Sequence, residues 1–359
     1  MHPNFLKRLA KAAIAAASIM LVLAGSAGAE EKKSFRVAWS IYVGWMPWGY
    51  AQESGIVKKW ADKYGIEIEV VQINDYIESI NQYTAGAFDA CVMTNMDVLT
   101  IPAAGGVDST ALIVGDFSNG NDAVVLKGTD KLADIKGRNV NLVELSVSHY
   151  LLARALDSVG LSERDLTVVN TSDADIVAAF SAPDVNAAVF WNPQLSEAVQ
   201  MKGAHKVFDS SQIPGEIIDM LVANTEVIKE NPKFAKALVG AWYETMSIMS
   251  SDTDEGRAAR KAMGVASGTD LAGYEAQLSA TRMFYKAAGA VEFVGSPDLV
   301  KTMDAVRNFS FDHGLLGEGA ANPDAVGIAF PGGKTLGDEA NVKLRFDAEF
   351  MGMAAGEAL

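Results

Sequence analysis

The sequence predicts an α/β protein of two lobes, and three observations lead there. Short apolar segments with strand character alternate with helical stretches along nearly the whole chain, a pattern that builds sheets of mainly parallel type. About 330 residues follow an export-type leader, a length that favours two cores over one. The strand and helix scheme also restarts on a smaller scale after residue 119.

The leader sets the compartment. Lys7, Arg8 and Lys11 precede an apolar run over 12–24, and Ala27-Gly28-Ala29 stands before Glu30, the three-part layout of a secretory signal cut after Ala29. The run is short and rich in Ala, whereas a membrane span needs about 20 strongly apolar residues. A retained anchor is the other reading, and no Cys at the cut site supports a lipid anchor. The mature chain keeps 27 Lys and Arg against 45 Asp and Glu, a net charge of about −18. Such a surface repels phosphates, so no nucleic-acid partner is expected. Cys91 is the single cysteine, which excludes an internal disulfide, and its neighbours Ala90, Val92 and Met93 mark a buried strand position and not a reactive thiol.

In the first lobe, 35–41 reads as a strand and 48–64 as a helix ending near Gly65. Segment 66–73 sets Glu67, Glu69 and Gln72 among Ile66, Ile68, Val70 and Val71, the mark of a strand with one wetter face. A helix over 76–86, a buried strand over 90–93, a helix over 97–104 and a strand over 111–116 follow. The second lobe has strands over 123–126, 139–143, 166–170, 187–190 and 206–209. Between them lie a short turn over 132–135 and helices over 146–159, 173–180 and 193–202. A strand over 220–223 returns to the first lobe, and long helical stretches cover 225–249, 271–287 and 297–313. The expected division is a signal peptide over 1–29, first lobe over 30–118, second lobe over 119–219, and a return to the first lobe over 220–359. The tail over 322–359, with its Pro331-Gly332-Gly333 turn, follows no clear pattern.

The turn after the first strand is unusual. Tyr42, Trp45 and Trp48 crowd around Gly44 and Pro47, where turns normally carry small polar residues. A ligand-facing wall explains them, and sealing the turn against the core is the competing reading for any one of them.

Several segments together carry a family resemblance: "VAWSIYVGWMPWGYAQESGIVKKW", "INDYIESINQYTAGAFDACVMTNMD", "LVELSVSHYLLARALDSVGL", "AAVFWNPQLSEA" and "LVANTEVIKENPKFAKAL". The chain resembles the periplasmic substrate-binding proteins of nitrate, sulfonate and taurine ABC importers over nearly its whole mature length. Within them it most resembles the branch found beside urea carboxylase genes, thought to import urea-like or guanidine-like nitrogen compounds. The resemblance implies the type II periplasmic-binding-protein fold, with two mixed sheets of parallel type, a ligand cleft between lobes and hinged closure. It further implies a monomer in the periplasm that hands a small molecule to an ABC permease, with no cofactor and no metal.

In such folds ligands sit at the carboxyl ends of strands. The resemblance places Asn95 and Asp97 against the ligand, although Asp97 also suits the first turn of the next helix. Ser146 and Ser148 stand where a helix N-terminus receives an anion in taurine-like and nitrate-like relatives. Glu144 departs from that pattern and favours a cation or a donor-rich ligand. His149 is a weaker candidate beside them. Trp191 and Asn192 follow the 187–190 strand, and in the family this aromatic faces the cleft. Asp116, Ser118, Asn121 and Asp122 lie at the crossing between lobes, and Glu216 and Asp219 at the return, where loop chemistry explains them equally well.

Aromatic faces plus carboxylates, with no Arg or Lys among these loop residues, suit a flat cation. The expected order is a guanidinium-type ligand, then urea or another small amide, then an amine. No zinc spacing, Gly-x-Ser-x-Gly elbow or phosphate loop occurs, so no enzyme is expected. A thiamine-pyrimidine synthase of the same fold needs a cysteine-rich motif that Cys91 alone cannot supply. A binder of pyrimidine precursors stays open, as does a sensor docking on a membrane receptor in place of an importer.

Overall fold

A computed structural model describes residues 32–359; the expected signal peptide over 1–29 lies outside them. The strands are β1 (Ser34–Trp39), β2 (Glu67–Gln72), β3 (Ala90–Thr94), β4 (Ser109–Ser118), β5 (Ala123–Lys127), β6 (Asn139–Leu142) and β7 (Thr167–Asn170). They continue with β8 (Ala187–Phe190), β9 (Ala204–Asp209), β10 (Ile218–Asn224), β11 (Thr281–Met283), β12 (Gly327–Ala329), β13 (Thr335–Leu336) and β14 (Val342–Phe346).

Two sheets form. The larger runs β13-β12-β14-β4-β10-β3-β1-β2, with β11 beside β4, and the smaller runs β7-β6-β8-β5-β9. Both are mixed. Strand β1 lies parallel to β2 and β3, but β10 is antiparallel to both β3 and β4, because the chain comes back from the smaller sheet in the opposite direction. In the smaller sheet β6 is parallel to β7 and β8, and β5 is antiparallel to β8 and β9. The sheets are therefore less parallel than the strand–helix alternation suggests. Fully buried strands such as β3 and β8 have helices or loops over both faces, hence their near-continuous hydrophobic sequence.

Helix boundaries differ from the sequence reading where backbone chemistry interrupts an apolar period. The 48–64 helix is two, Met46–Glu53 and Ile56–Tyr64, broken at Gly55, whose φ of 81° is left-handed. The 225–249 stretch is also two, Thr225–Glu230 and Pro232–Met249, since Asn231 before proline leaves the helical region at φ −130°, ψ 67°. The 271–287 stretch ends as a helix at Ser279, forms β11 against β4, and resumes as Ala287–Val294. A charged helix, Asp254–Ala266, escaped the apolar pattern because it buries only a narrow stripe with Ala259 and Met263. The tail adds β12, β13 and β14 to the larger sheet and closes with helix Glu349–Ala355. Among the described residues no helix is long and apolar enough to cross a membrane.

Aromatic pairs weld the helices to the larger sheet. Phe35 stacks on Phe234 at 4.3 Å between centroids, and Trp48 on Trp242 at 5.1 Å. Helix Pro232–Met249 can approach Ile56–Tyr64 closely because Gly240 lies under the Trp60 ring, which a methyl group there would overlap. The indole cannot easily yield, since its N–H donates to Glu244 at 2.7 Å. Gly240→Ala is therefore expected to destabilise the protein by about 1–3 kcal/mol. A urea melt would register this as a lower midpoint, with an unchanged slope.

Candidate functional site

After β1 the chain turns, with the Tyr42 carbonyl accepting the N–H groups of Trp45 at 2.9 Å and Met46 at 3.1 Å. Pro47 then stands in the first turn of Met46–Glu53, where its missing N–H costs nothing. This geometry splits the three turn aromatics. Trp48 lies on the helix and points back to Trp242 in the core, whereas Tyr42 and Trp45 face the other way, into a cavity. The turn is anchored by the Tyr274 hydroxyl, which donates to the Val43 carbonyl at 2.9 Å. It also touches the smaller-sheet lobe, where the Val43 N–H donates to the Asn192 carbonyl at 3.3 Å.

The cavity between the two sheets is narrow, about 20 Å³, and is lined by Tyr42, Trp45, Tyr76, Thr94, Asp122, Val147, Trp191, Ile217 and Asp219. It is small beside the ~300–1,000 Å³ typical of drug-sized ligand sites. Four rings run through it in series. Tyr42 meets Trp45 edge-on at 4.9 Å, Trp45 meets Tyr76 at 5.5 Å, and Tyr76 meets Trp191 edge-on at 5.7 Å. Tyr76 also ties the lobes together, its backbone N–H donating to Asp173 Oδ1 at 3.2 Å.

Carboxylates stand in and behind this wall. Asp219 on β10 is the cross-strand partner of Asp116 on β4, and both are buried. The Tyr42 hydroxyl donates to Asp116 Oδ1 at 2.8 Å, while Asp116 Oδ2, Asp219 Oδ2 and Trp45 Nε1 have no hydrogen-bond partner among the described residues. Gly44 is needed here, because a side chain would run into the Asp116 carboxylate and the Tyr42 ring. Asp122 is held by the Ser118 hydroxyl, and Asp97 Oδ2 accepts the hydroxyls of Tyr76 at 2.6 Å and Thr94 at 2.8 Å.

The electrostatics follow from burial. It pushes Asp97 and Asp122 up to about 6 against the opposing hydrogen bonds. It pushes Asp116 and Asp219 up as well, and at Asp219 the negative charges of Asp116 and Asp122 add to it. Burial, then the neighbouring Asp116 and Asp219 charges, raises the Tyr42 phenol far above its usual range, so it remains a donor. None of the nine lining residues is basic.

Of the residues singled out from sequence, the cavity brings together Tyr42, Trp45, Trp191, Asp219 and Asp122. Asp116 stands just behind Tyr42. The rest lie elsewhere or do other work. Asn95 is spent on the backbone, donating to the Glu216 carbonyl and accepting the Ile218 N–H at 3.0 Å. Asp97 is one layer behind, holding Tyr76. Ser146 caps helix Val147–Ser158 by accepting the Ser148 N–H, and Ser148 is buried outside the cavity lining. Asn192 Oδ1 accepts the Ser196 hydroxyl and N–H in the next helix turn. Glu216 is paired with Tyr150 and Arg154. Glu144 is exposed, because the left-handed Leu145 (φ 62°) carries the loop outward. It borders a separate open depression with Asp75, Glu78 and Asp173.

His149 faces away, toward Glu163 and His313, and these three groups could converge on a metal. The Leu145 N–H donates to His149 Nδ1 at 3.1 Å, so Nε2 carries the proton and points it at Glu163. A protonated nitrogen offers no lone pair, which leaves a hydrogen-bonded cluster as the better account. Burial opposes ionisation of Glu163, but the hydrogen bonds from His149 and His313, with a further electrostatic contribution from both rings, outweigh it and hold the group at about 2.

Sequence reasoning passed over Tyr76, Thr94, Val147 and Ile217. Tyr76 follows the carboxyl end of β2 and Thr94 is the last residue of β3, so the strand-end rule could have found both. Val147 and Ile217 carry no chemical signal.

Known proteins share this architecture. The alkanesulfonate-binding protein SsuA of Xanthomonas axonopodis pv. citri, solved with MOPS bound, superposes with a TM-score of 0.67 at 18% identity, covering 83% of this chain and 99% of that one. The aliphatic sulphonate-binding SsuA of Escherichia coli gives 0.64 at 17% identity over 80% and 94%. The fold is thus that of periplasmic binding proteins. By sequence, a binding protein of Brucella abortus (strain 2308) is 22% identical over 212 residues, 57% of this chain and 63% of the relative, so under two thirds of that relative is spanned. The taurine-binding periplasmic protein of Escherichia coli (strain K12) is 27% identical over 130 residues, 35% and 40% of the two chains. Residues 28–264 match the NMT1-like family, and the chain belongs to it.

The raised carboxyls make stability depend on pH. Folded Asp97, Asp122 and Asp173, the last also raised to about 6 chiefly by burial, hold protons that the unfolded chain releases near 4. Stability then falls as pH rises between about 4 and 7. The ligand-free protein is expected to melt several degrees higher at pH 5 than at pH 8. Equal melting temperatures in a calorimetric scan would contradict this. Glu163, being depressed, acts in the opposite sense only below about pH 4.5.

Proposed function

We propose that this chain is an exported, periplasmic solute-binding protein that delivers a small planar cation of guanidinium type to an ABC importer by closure of its two lobes. Urea, with the same donors but no charge, ranks second. Membership of the NMT1-like family and the likeness to periplasmic sulfonate-binding and taurine-binding proteins support the transport role. The names of those relatives point to acidic ligands, and the lining of this cavity argues for a different ligand.

One observation carries the ligand class. Asp219 and Asp122 line an aromatic cage that contains no basic residue, and Asp116 and Asp97 stand directly behind it. An anion placed there would face several buried carboxylates with no counter-charge, whereas a guanidinium would supply one positive charge to them and lie against ring faces. A flat donor-rich cation could also satisfy the Asp219 Oδ2 acceptor.

Titration calorimetry on the mature protein, with guanidinium kept at low millimolar and far from denaturing concentrations, should give saturable binding and a change in Trp fluorescence. Taurine and nitrate should give neither. Trp45→Ala and Trp191→Ala are each expected to weaken guanidinium binding about tenfold, and Asp219→Asn more than that. Glu144→Gln should stay within about twofold, since that residue borders the outer depression. Tight binding of an anion or of a pyrimidine, with guanidinium and urea silent, would reject this reading.

A further inference from the structure

We propose that ligand capture at this site is a proton exchange, in which the Asp116–Asp219 pair holds one proton in the ligand-free protein and releases it to solvent as the cation enters. The inference rests on the cation reading of the cavity and adds the charge balance of binding to it.

The geometry begins with register. Asp116 and Asp219 face each other across the antiparallel β4–β10 pair, so their Cβ atoms lie roughly 4.5–5.5 Å apart. Asp116 is 0% and Asp219 3% exposed. The surrounding ionisable groups offer little positive charge. Tyr42, from the turn after β1, donates to Asp116 Oδ1, and Asp122, from the loop after β4, brings another carboxylate. Asp97 lies behind Tyr76 and acts on Asp122. Tyr274 on helix Leu271–Ser279 and Tyr285 after β11 sense the Asp116 charge. Arg260 acts on Tyr285, but its guanidinium is committed to Glu275 at 2.8 Å and to the Met249 and Ser251 carbonyls.

Two adjacent carboxyls removed from water cannot both ionise without a counter-charge. Each also has an Oδ2 with no partner among the described residues, and on Asp219 this oxygen belongs to a cavity-lining side chain. A proton shared by the pair answers both needs in the free state, and the burial-driven upward shifts of both acids agree with it. A bound cation answers the same needs with its own charge and N–H donors. The balance is simple: the singly protonated pair plus one cation gives the doubly ionised pair with the cation, plus one proton to solvent. The net charge of the pair's site stays at one negative in both states, so neither state buries two adjacent carboxylates without a counter-charge.

The test is calorimetry of the mature chain with guanidinium chloride at pH 7, in phosphate and in Tris, whose ionisation heats differ. The expected result is release of between about half and one proton per guanidinium bound, and a dissociation constant that falls by up to about tenfold per pH unit between pH 5 and 7. Asp219→Asn should lose most of the proton release and flatten the pH dependence. Asp116→Asn serves the same purpose if that variant does not fold. Guanidinium binding with identical heats in both buffers and a constant affinity from pH 5 to 8 would overturn the exchange while leaving the cation reading intact. Proton release unchanged in both Asn variants would overturn its assignment to this pair. Absence of guanidinium binding would overturn the cation reading and the exchange together.

Discussion

Asp116 and Asp219 are kept out of water beside each other, and much of the chain's organisation serves that placement. They sit on β4 and β10, the strands by which the chain leaves the larger sheet and returns to it. The antiparallel pairing of those strands sets the two carboxyls opposite each other. Burying an acid without a partner is costly, and placing a second beside it compounds the cost. Such a pair survives because the surrounding elements over-determine it. The Tyr42 hydroxyl holds one oxygen, Gly44 leaves space for the carboxylate, and Tyr274 pins the turn that carries both. Other buried polar atoms, Trp242 Nε1 and Gln277 Oε1 among them, also have no partner among the described residues, but here the unpartnered oxygens of two adjacent acids and Trp45 Nε1 gather beside one cavity.

The aromatic rings belong to the same construction. Trp48 and Trp242 fix helix Met46–Glu53 to Pro232–Met249, which sets the direction in which the preceding turn can project. Tyr42 and Trp45 then project toward the second lobe, and Tyr76 of the first lobe and Trp191 of the second complete the row. Tyr76 has two attachments. Its hydroxyl is held by Asp97 and its backbone N–H by Asp173 of the opposite lobe, so the ring is positioned by contacts from both sides of the cleft. This is the arrangement expected of a site that is complete only when the lobes are together.

The relation to sulfonate-binding structures separates scaffold from specificity. A fold can be shared at 18% identity without fixing which ligand is bound. Here the helix N-terminus at Ser146 and Val147 turns an apolar side chain to the cavity, and the carboxylates come from the crossing strands instead. The architecture leaves the ligand open, so the proposed cation rests on the charge of the cavity lining.

Much of the fold was legible in the sequence. Apolar runs at strand length, separated by helical periods, placed β1 to β10 within a few residues, because local hydrophobic patterning reports which face of an element is buried. The tail was not legible: β12 to β14 are short edge additions whose pairing depends on β4. The carboxylate and aromatic character of the site could also be read, since strand ends are where an α/β fold meets its ligand and acids and large rings gathered there. What only the tertiary structure decided was direction. Trp48 turns into the core, Glu144 turns outward just before a left-handed Leu145, His149 turns to Glu163, and Asp116 meets Asp219 across a hundred residues of intervening chain. Sequence records which chemistry is present at a turn. Which way a side chain faces is set by strand register and helix packing, and these exist only once distant segments have come together.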